Sequence, residues 1–255
     1  MIVSKKNNFI FLKTAKTAGS SIEFYLSQFC GSKDTITSLR PNEEKLKKKF
    51  NILKKQNYEY KKNKFTLKNF KKFNFSKRII LNDHSSLKIL EDKIKMNLNH
   101  YYTFAFVRNP YHWIVSYFWW YLYDEKILPM KNFNKLKKRE ISLLFKLFLQ
   151  FKCLYFFTWM KDIISSNKYK VHIYKYENLE KDIVKLKHKL SLNNEKIRFG
   201  EIKLKELKFN SKIKYKLKFS QEDIKLIQKE AKFFFSEYNY SKQVPRIYLS
   251  KKYNN

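Results

Sequence analysis

Lys16, Thr17, Gly19, Ser20 and Ser21 fall within six consecutive positions near the start of the chain, a grouping suited to holding a compact anion. The lysine supplies a full positive charge and the hydroxyls supply neutral donors. Gly19, one of only three glycines in 255 residues, lets the backbone come close to a ligand. Ahead of the group, the Phe- and Ile-rich run from Asn8 to Thr14 predicts a short buried strand. Behind it, Ile22, Tyr25, Leu26 and Phe29 recur at helical spacing, and Gly31 suits the helix C-terminus. A strand that breaks into a small-residue turn and opens a helix leaves free N–H groups at the helix start. Those groups and the dipole behind them favour negative charge. Lys13 is a second cation at the turn, and Ala18 adds another backbone N–H. A structural role alone, with Ser20 or Ser21 capping the helix, would use the same residue types. The order also departs from the Gly-x-x-x-x-Gly-Lys-Ser/Thr loop, because here the lysine precedes the glycine.

Two further groups lie at predicted strand ends. Tyr101 to Val107 is apolar and aromatic nearly throughout, which predicts a central strand, and it runs into Arg108-Asn-Pro110. Pro110 suits a first helical turn, and Tyr111 to Tyr123 reads as an aromatic helix. Arg108 and Ser116, about two turns into that helix, could face one anion; an ordinary surface ion pair is the alternative for Arg108. His84 follows the brief strand candidate Arg78 to Leu81, and ligands of open α/β sheets bind beyond strand C-termini. A neutral imidazole is suited to taking up a proton near pH 7. Ser85 and Ser86 could cap a helix from Leu87 to Met96.

The elements that must position these groups read as one α/β domain over residues 1–255. A Lys-rich surface excursion at about 41–77 carries 13 lysines against three acids, with a helical part from Glu43 to Leu53. Ile141 to Trp159 is an apolar helix broken by Lys146, Gln150 and Lys152, either buried or interfacial. Lys170 to Glu177 alternates as a strand does, and a helix follows to about Leu190. Ser220 and Asp223 open a helix running to about Tyr238. No stretch of 18 residues is free of charge and no apolar leader opens the chain, so the expectation is a soluble cytoplasmic protein, with peripheral membrane contact left open.

A net charge of +34 suggests an anionic partner. Only six of the 56 basic residues are arginine, the preferred side chain for bidentate contacts to bases and phosphates. Lys, Asn, Ile, Phe and Tyr abound, as AT-rich codons dictate, so coding bias accounts for the charge better than a dedicated nucleic-acid role does. Two cysteines without metal spacing argue against a zinc site.

Lys16-Thr-Ala-Gly-Ser-Ser21, followed about 90 residues later by Phe106-Val-Arg-Asn-Pro-Tyr111 and Ser116, resembles the paired motifs of sulfotransferases that use 3′-phosphoadenosine 5′-phosphosulfate (PAPS). Cys30-Gly31, Asp34 to Thr37, Asn57-Tyr58, His84 and Tyr174 to Leu179 are similar to the glycan-type, sulfotransferase-2-like branch. The resemblance implies an α/β fold with a central parallel sheet, flanking helices and a P-loop-like phosphate-binding turn. It implies metal-free sulfuryl transfer from PAPS to an acceptor hydroxyl, on a glycan that the basic surface would attract. Lys16 would contact the phosphosulfate, with Lys13 a second candidate. Thr17, Ala18, Gly19, Ser20 and Ser21 would cradle the 5′-phosphate, and Arg108 and Ser116 would bind the 3′-phosphate. His84 would be the base, with Asp83 beside it as the alternative. Tyr111-His-Trp113 departs from the basic residue that often follows Arg-Asn-Pro. A phosphate-loop kinase and a non-enzymatic nucleic-acid-binding protein are the competing classes.

Overall fold

The structure, a computed structural model, describes residues 1–62, 77–93, 96–127, 135–201, 204 and 217–249. Much of the Lys-rich excursion expected at 41–77 therefore lies outside the described residues. Its described parts, residues 41–62 and 77, include helix α2 (Pro41–Lys49) and strand β4 (Glu59–Lys62).

The main sheet has five strands. β1 (Ile2–Ser4), β2 (Phe9–Leu12), β3 (Thr35–Ile36), β6 (Tyr102–Val107) and β7 (His172–Lys175) lie side by side in the order β3-β1-β2-β6-β7. β2, β6 and β7 are parallel, whereas β1 pairs antiparallel with both β2 and β3. The sheet is thus mixed, with a parallel half and an antiparallel edge, rather than wholly parallel.

Alternation along the strands divides the core in two. Phe9, Phe11, Phe104 and Phe106 face one side, where they meet α1 (Gly19–Ser27) and α5 (Leu179–Lys189) through Ile22, Leu26, Ile183 and Leu186. Ile10, Leu12, Ala105 and Val107 face the other side. There α3 (Pro110–Asp124), α4 (Lys138–Ile164), α6 (Gln221–Glu230) and α7 (Lys232–Glu237) supply Trp113, Phe118, Phe145, Phe156, Ile227 and Phe234. Helices on both faces of a sheet make an α/β architecture.

Local chemistry accounts for several helix starts. Asn109 caps α3 by accepting from Tyr111 N–H, and Pro110 fills the first helical position, where no N–H is required. Ser220 and Asp223 form a capping box at α6. The helix expected to run on to Tyr238 breaks at Ala231 into α6 and α7. The helix expected from Leu87 does begin there, but among the described residues it continues as a π-helical turn at Ile89–Lys93, and Ser85 Oγ accepts from Asn82 N–H instead of capping. The strand before His84, β5 (Lys77–Ile80), pairs with β4 in a separate two-stranded sheet.

Candidate active site

The three parallel strands end at the same edge. Leu12 pairs with Ala105 and Val107 with Lys175, so Lys13, Arg108 and Tyr176 all emerge beyond strand C-termini. That is where open α/β sheets take ligands. A cavity of about 740 Å³ opens there, lined by Lys13, Lys16, Ala18, Gly19, Ser20, Ser21, His84, Arg108 and Ser116. Of the residues singled out from sequence, Thr17 alone does not line it. Its hydroxyl is buried, 2.8 Å from Thr14 Oγ1, and donates to Thr14 O.

The turn between β2 and α1 is held from outside. Trp113 Nε1 donates to Ala15 O (2.6 Å), and Thr14 Oγ1 donates to Phe106 O on β6. These anchors fix a costly backbone. Lys16 and Ala18 have φ of 62° and 59°, left-handed values that cost a non-glycine residue of order 1–3 kcal/mol unless the surroundings impose them. Thr17 between them does not share that sign, and such alternation turns successive N–H groups toward one side. The N-cap of α1 is Ala18, not Ser20 or Ser21, and no side chain caps it. The first N–H groups of α1 thus have no side-chain cap, and Gly19, Ser20 and Ser21 line the cavity. Gly19 is required for a different reason than its conformation. A Cβ there would lie 2.6 Å from Lys13 Cγ, so the glycine makes room for the lysine stem. Gly31, expected to cap α1, instead donates its N–H to Asp34 in a loop.

Lys13 lines the cavity but is ion-paired. Its ammonium lies 3.1 Å from Glu23 Oε2 and 3.1 Å from Asp83 Oδ2. Burial works against its charge, but the two carboxylates outweigh that and hold its pKa above the ordinary value. Lys16 reaches into the cavity with its ammonium 5.8 Å from the centre of the Trp120 ring. Arg108 lies 4.4 Å over the Tyr176 ring and donates from Nη1 to Lys16 O. Its Nε is buried with no hydrogen-bond partner among the described residues, an unsatisfied donor at the cavity.

His84 comes to the site through tertiary contacts rather than through the main sheet. Its Nδ1 is 2.7 Å from Lys13 O, an oxygen that can only accept, so the network places the proton on Nδ1 and leaves Nε2 as the basic lone pair. Asp83 Oδ2 lies 3.5 Å from Nε2, and the ring packs edge-on to Trp159 at 5.1 Å. Burial is the main cause that lowers the His84 pKa, to about 4, against the pull of Asp83. The imidazole is therefore neutral at pH 7. Asp83 itself is drawn below the carboxylate range: burial opposes its charge, but Lys13 and His84 outweigh it.

Several lining residues escaped the sequence reading. Tyr176 had a usable signal, since it follows the alternating strand directly. Trp159 and Tyr248 had none, because their approach depends on packing across the chain; Tyr248 hydroxyl meets His112 Nδ1 at 2.9 Å. His112, one turn before Ser116, also lines the cavity beside Arg108. Among the described residues no group of three or more His, Cys, Asp or Glu side chains is placed to hold a metal.

No curated protein and no solved structure matches this chain significantly. The model of the Sulfotransferase family, in its sulfotransferase-2 branch, matches residues 1–253, and on that match spanning the turn, the Arg108 strand end and the rest of the fold, the chain belongs to that family.

Proposed function

We propose that the cavity binds PAPS and transfers its sulfuryl group to an acceptor hydroxyl, with a carbohydrate as the acceptor class. The observation that carries this reading is the convergence, in one cavity, of the uncapped α1 N-terminus with Lys16 and of Arg108 with Ser116. The two groups are about 90 residues apart in sequence. One cavity with two anion-binding ends fits a donor that carries phosphate at both its 5′ and 3′ positions. The orphaned Arg108 Nε supports the same fit.

In this reading the N–H groups of the P-loop-like turn and the Ser20 and Ser21 hydroxyls hold the 5′-phosphate. Arg108 and Ser116 hold the 3′-phosphate, with the guanidinium oriented by Tyr176. Lys16 stabilises the bridging oxygen as its bond to sulfur breaks. His84 Nε2 takes the proton of the acceptor hydroxyl as that oxygen bonds to sulfur, and Asp83 stabilises the imidazolium that forms. The products are the sulfate ester and 3′-phosphoadenosine 5′-phosphate. Positioning and charge stabilisation supply the catalysis, without a covalent step on the protein.

The binding half is tested by thermal shift. Excess 3′-phosphoadenosine 5′-phosphate should raise the melting temperature by roughly 5–10 °C at about 100-fold saturation. Arg108→Ala should abolish most of that shift, and ATP with Mg²⁺ should not reproduce it. An equal shift with ATP and Mg²⁺ would favour a kinase and overturn the reading.

The base is tested by pH. Because the His84 pKa is lowered to about 4, the imidazole is already deprotonated at neutrality. The acid limb of kcat/KM should fall near pH 4, with a plateau above pH 6. His84→Gln should lower the plateau by roughly 100-fold or more while leaving the thermal shift in place. Full activity in His84→Gln would move the base assignment elsewhere.

A further inference from the structure

Ten large hydrophobic residues are more than a third exposed among the described residues, and half of them share one face of α4. They are Leu143 (59%), Leu147 (44%), Phe151 (75%), Leu154 (61%) and Tyr155 (59%). Leu143, Leu147, Phe151 and Tyr155 are spaced four apart, one ridge of a helix. The next member of the ridge is Trp159. Its ring stacks on Tyr155 at 6.2 Å, packs against His84 and lines the cavity. The ridge thus runs for about 24 Å from near the start of α4 to the cavity.

The opposite face of α4 is core, with Phe145, Leu149, Phe156 and Met160 buried. The helix has the length and hydropathy to cross a bilayer, with a best window of mean hydropathy 1.4. Its buried inner face is incompatible with being surrounded by lipid. A helix apolar on both sides and packed on one can lie in a membrane interface without spanning it.

Charge identifies what would cover the outer face. Lys137, Lys138 and Arg139 are exposed at the N-terminal end of α4, where the helix dipole disfavours cations, so their charges there do not stabilise the helix, although Glu140 accepts from Lys137 N–H in a capping box. Lys152 lies 6.0 Å from the centre of the Tyr155 ring, at the edge of the ridge, and Lys161 is exposed beyond its far end. A second copy of the chain would bring two such basic faces together within molecules of net charge +34. An anionic surface would be attracted instead.

We propose that the outer face of α4 docks on an anionic lipid bilayer, with the ridge in the interface and the cavity beside the headgroups. This does not depend on the chemistry of the cavity. The test is co-sedimentation of the full chain with vesicles of phosphatidylcholine, alone or with about a third phosphatidylglycerol. A variant carrying Leu147→Ser, Phe151→Ser and Leu154→Ser changes only exposed side chains, and its unchanged melting temperature checks the fold. The wild type should bind the anionic vesicles, less at ~0.5 M than at ~0.1 M salt. The variant should bind them about tenfold more weakly or less. Equal binding by the variant would mean adsorption through lysines alone and overturn the proposal. So would absence of binding to either vesicle, or a wild-type dimer in solution that the variant breaks. The nucleotide thermal shift is read separately, so failure of docking and failure of the sulfuryl-transfer reading are distinguishable.

Discussion

Lys16→Met is expected to lower kcat for sulfuryl transfer by about 100- to 1,000-fold while changing the affinity for 3′-phosphoadenosine 5′-phosphate by no more than a few-fold. Methionine keeps an unbranched stem at a position whose φ is 62°, where a β-branched residue would add strain. The substitution therefore removes charge with little change of shape. In the resting protein the Lys16 ammonium lies beside the Trp120 ring, on the cavity wall. In the proposed transfer, charge builds on the bridging oxygen only as its bond to sulfur breaks, so a cation placed there would favour the transition state over the bound donor. Lys13 cannot substitute, because Glu23 and Asp83 already hold its ammonium. Single-turnover rates measured at saturating donor would separate the chemical step from binding. A normal rate in Lys16→Met would remove this lysine from the chemistry.

The parts of the site legible in the sequence were those whose signals are local. The apolar run before the turn, the aromatic strand before Arg108 and Pro110 at the head of α3 each declare their structure within a few residues. Arg108 and Ser116 flank a single strand-helix junction, so their approach to one cavity follows from short spacing. The cavity then joins them to the Lys16 turn because β2 and β6 are parallel neighbours in register. Other features had no local signal. β1 is three residues long, too short to show a period, and exists through its pairing with β2 and β3. His84 was singled out for following a strand, yet that strand belongs to the small separate sheet. What brings the imidazole to the turn is its contact with Lys13 O, 71 residues away. The role of Lys13 was likewise invisible: a lysine at the end of a strand reads as an anion ligand until the two carboxylates that hold it are located.

Those carboxylates make Glu23→Ala the substitution expected to harm the fold most, by about 3–5 kcal/mol. Glu23 is fully buried in α1 and binds the amino group of Met1 at 2.9 Å, Lys13 at 3.1 Å and the Thr37 hydroxyl at 3.2 Å. Lys47, with its ammonium buried, also acts on it, while burial lowers the pKa of the Met1 amino group to about 5. Burial opposes the Glu23 charge, but the surrounding cations outweigh it and hold its pKa below 4.5. A depressed carboxylate stabilises the fold above the unfolded-state pKa, and that contribution is lost as pH falls below about 4.5. The lowered His84 pKa acts in the same direction, its share fading as pH drops from 6.5 toward 4. Glu23→Ala should lower the melting temperature by roughly 10 °C. Glu23→Gln, which keeps the shape, should be nearly as damaging if charge is the cause. The decisive comparison is the double variant with Lys13→Met. Removing both partners leaves no stranded charge between them, so the pair should cost less than the sum of the single changes. Strict additivity would mean that the contact between Glu23 and Lys13 contributes nothing of its own. Non-additivity would show that Glu23 and Lys13 are coupled, and a weakened thermal shift from 3′-phosphoadenosine 5′-phosphate in Glu23→Gln would show that this buried pair helps to hold the turn in shape.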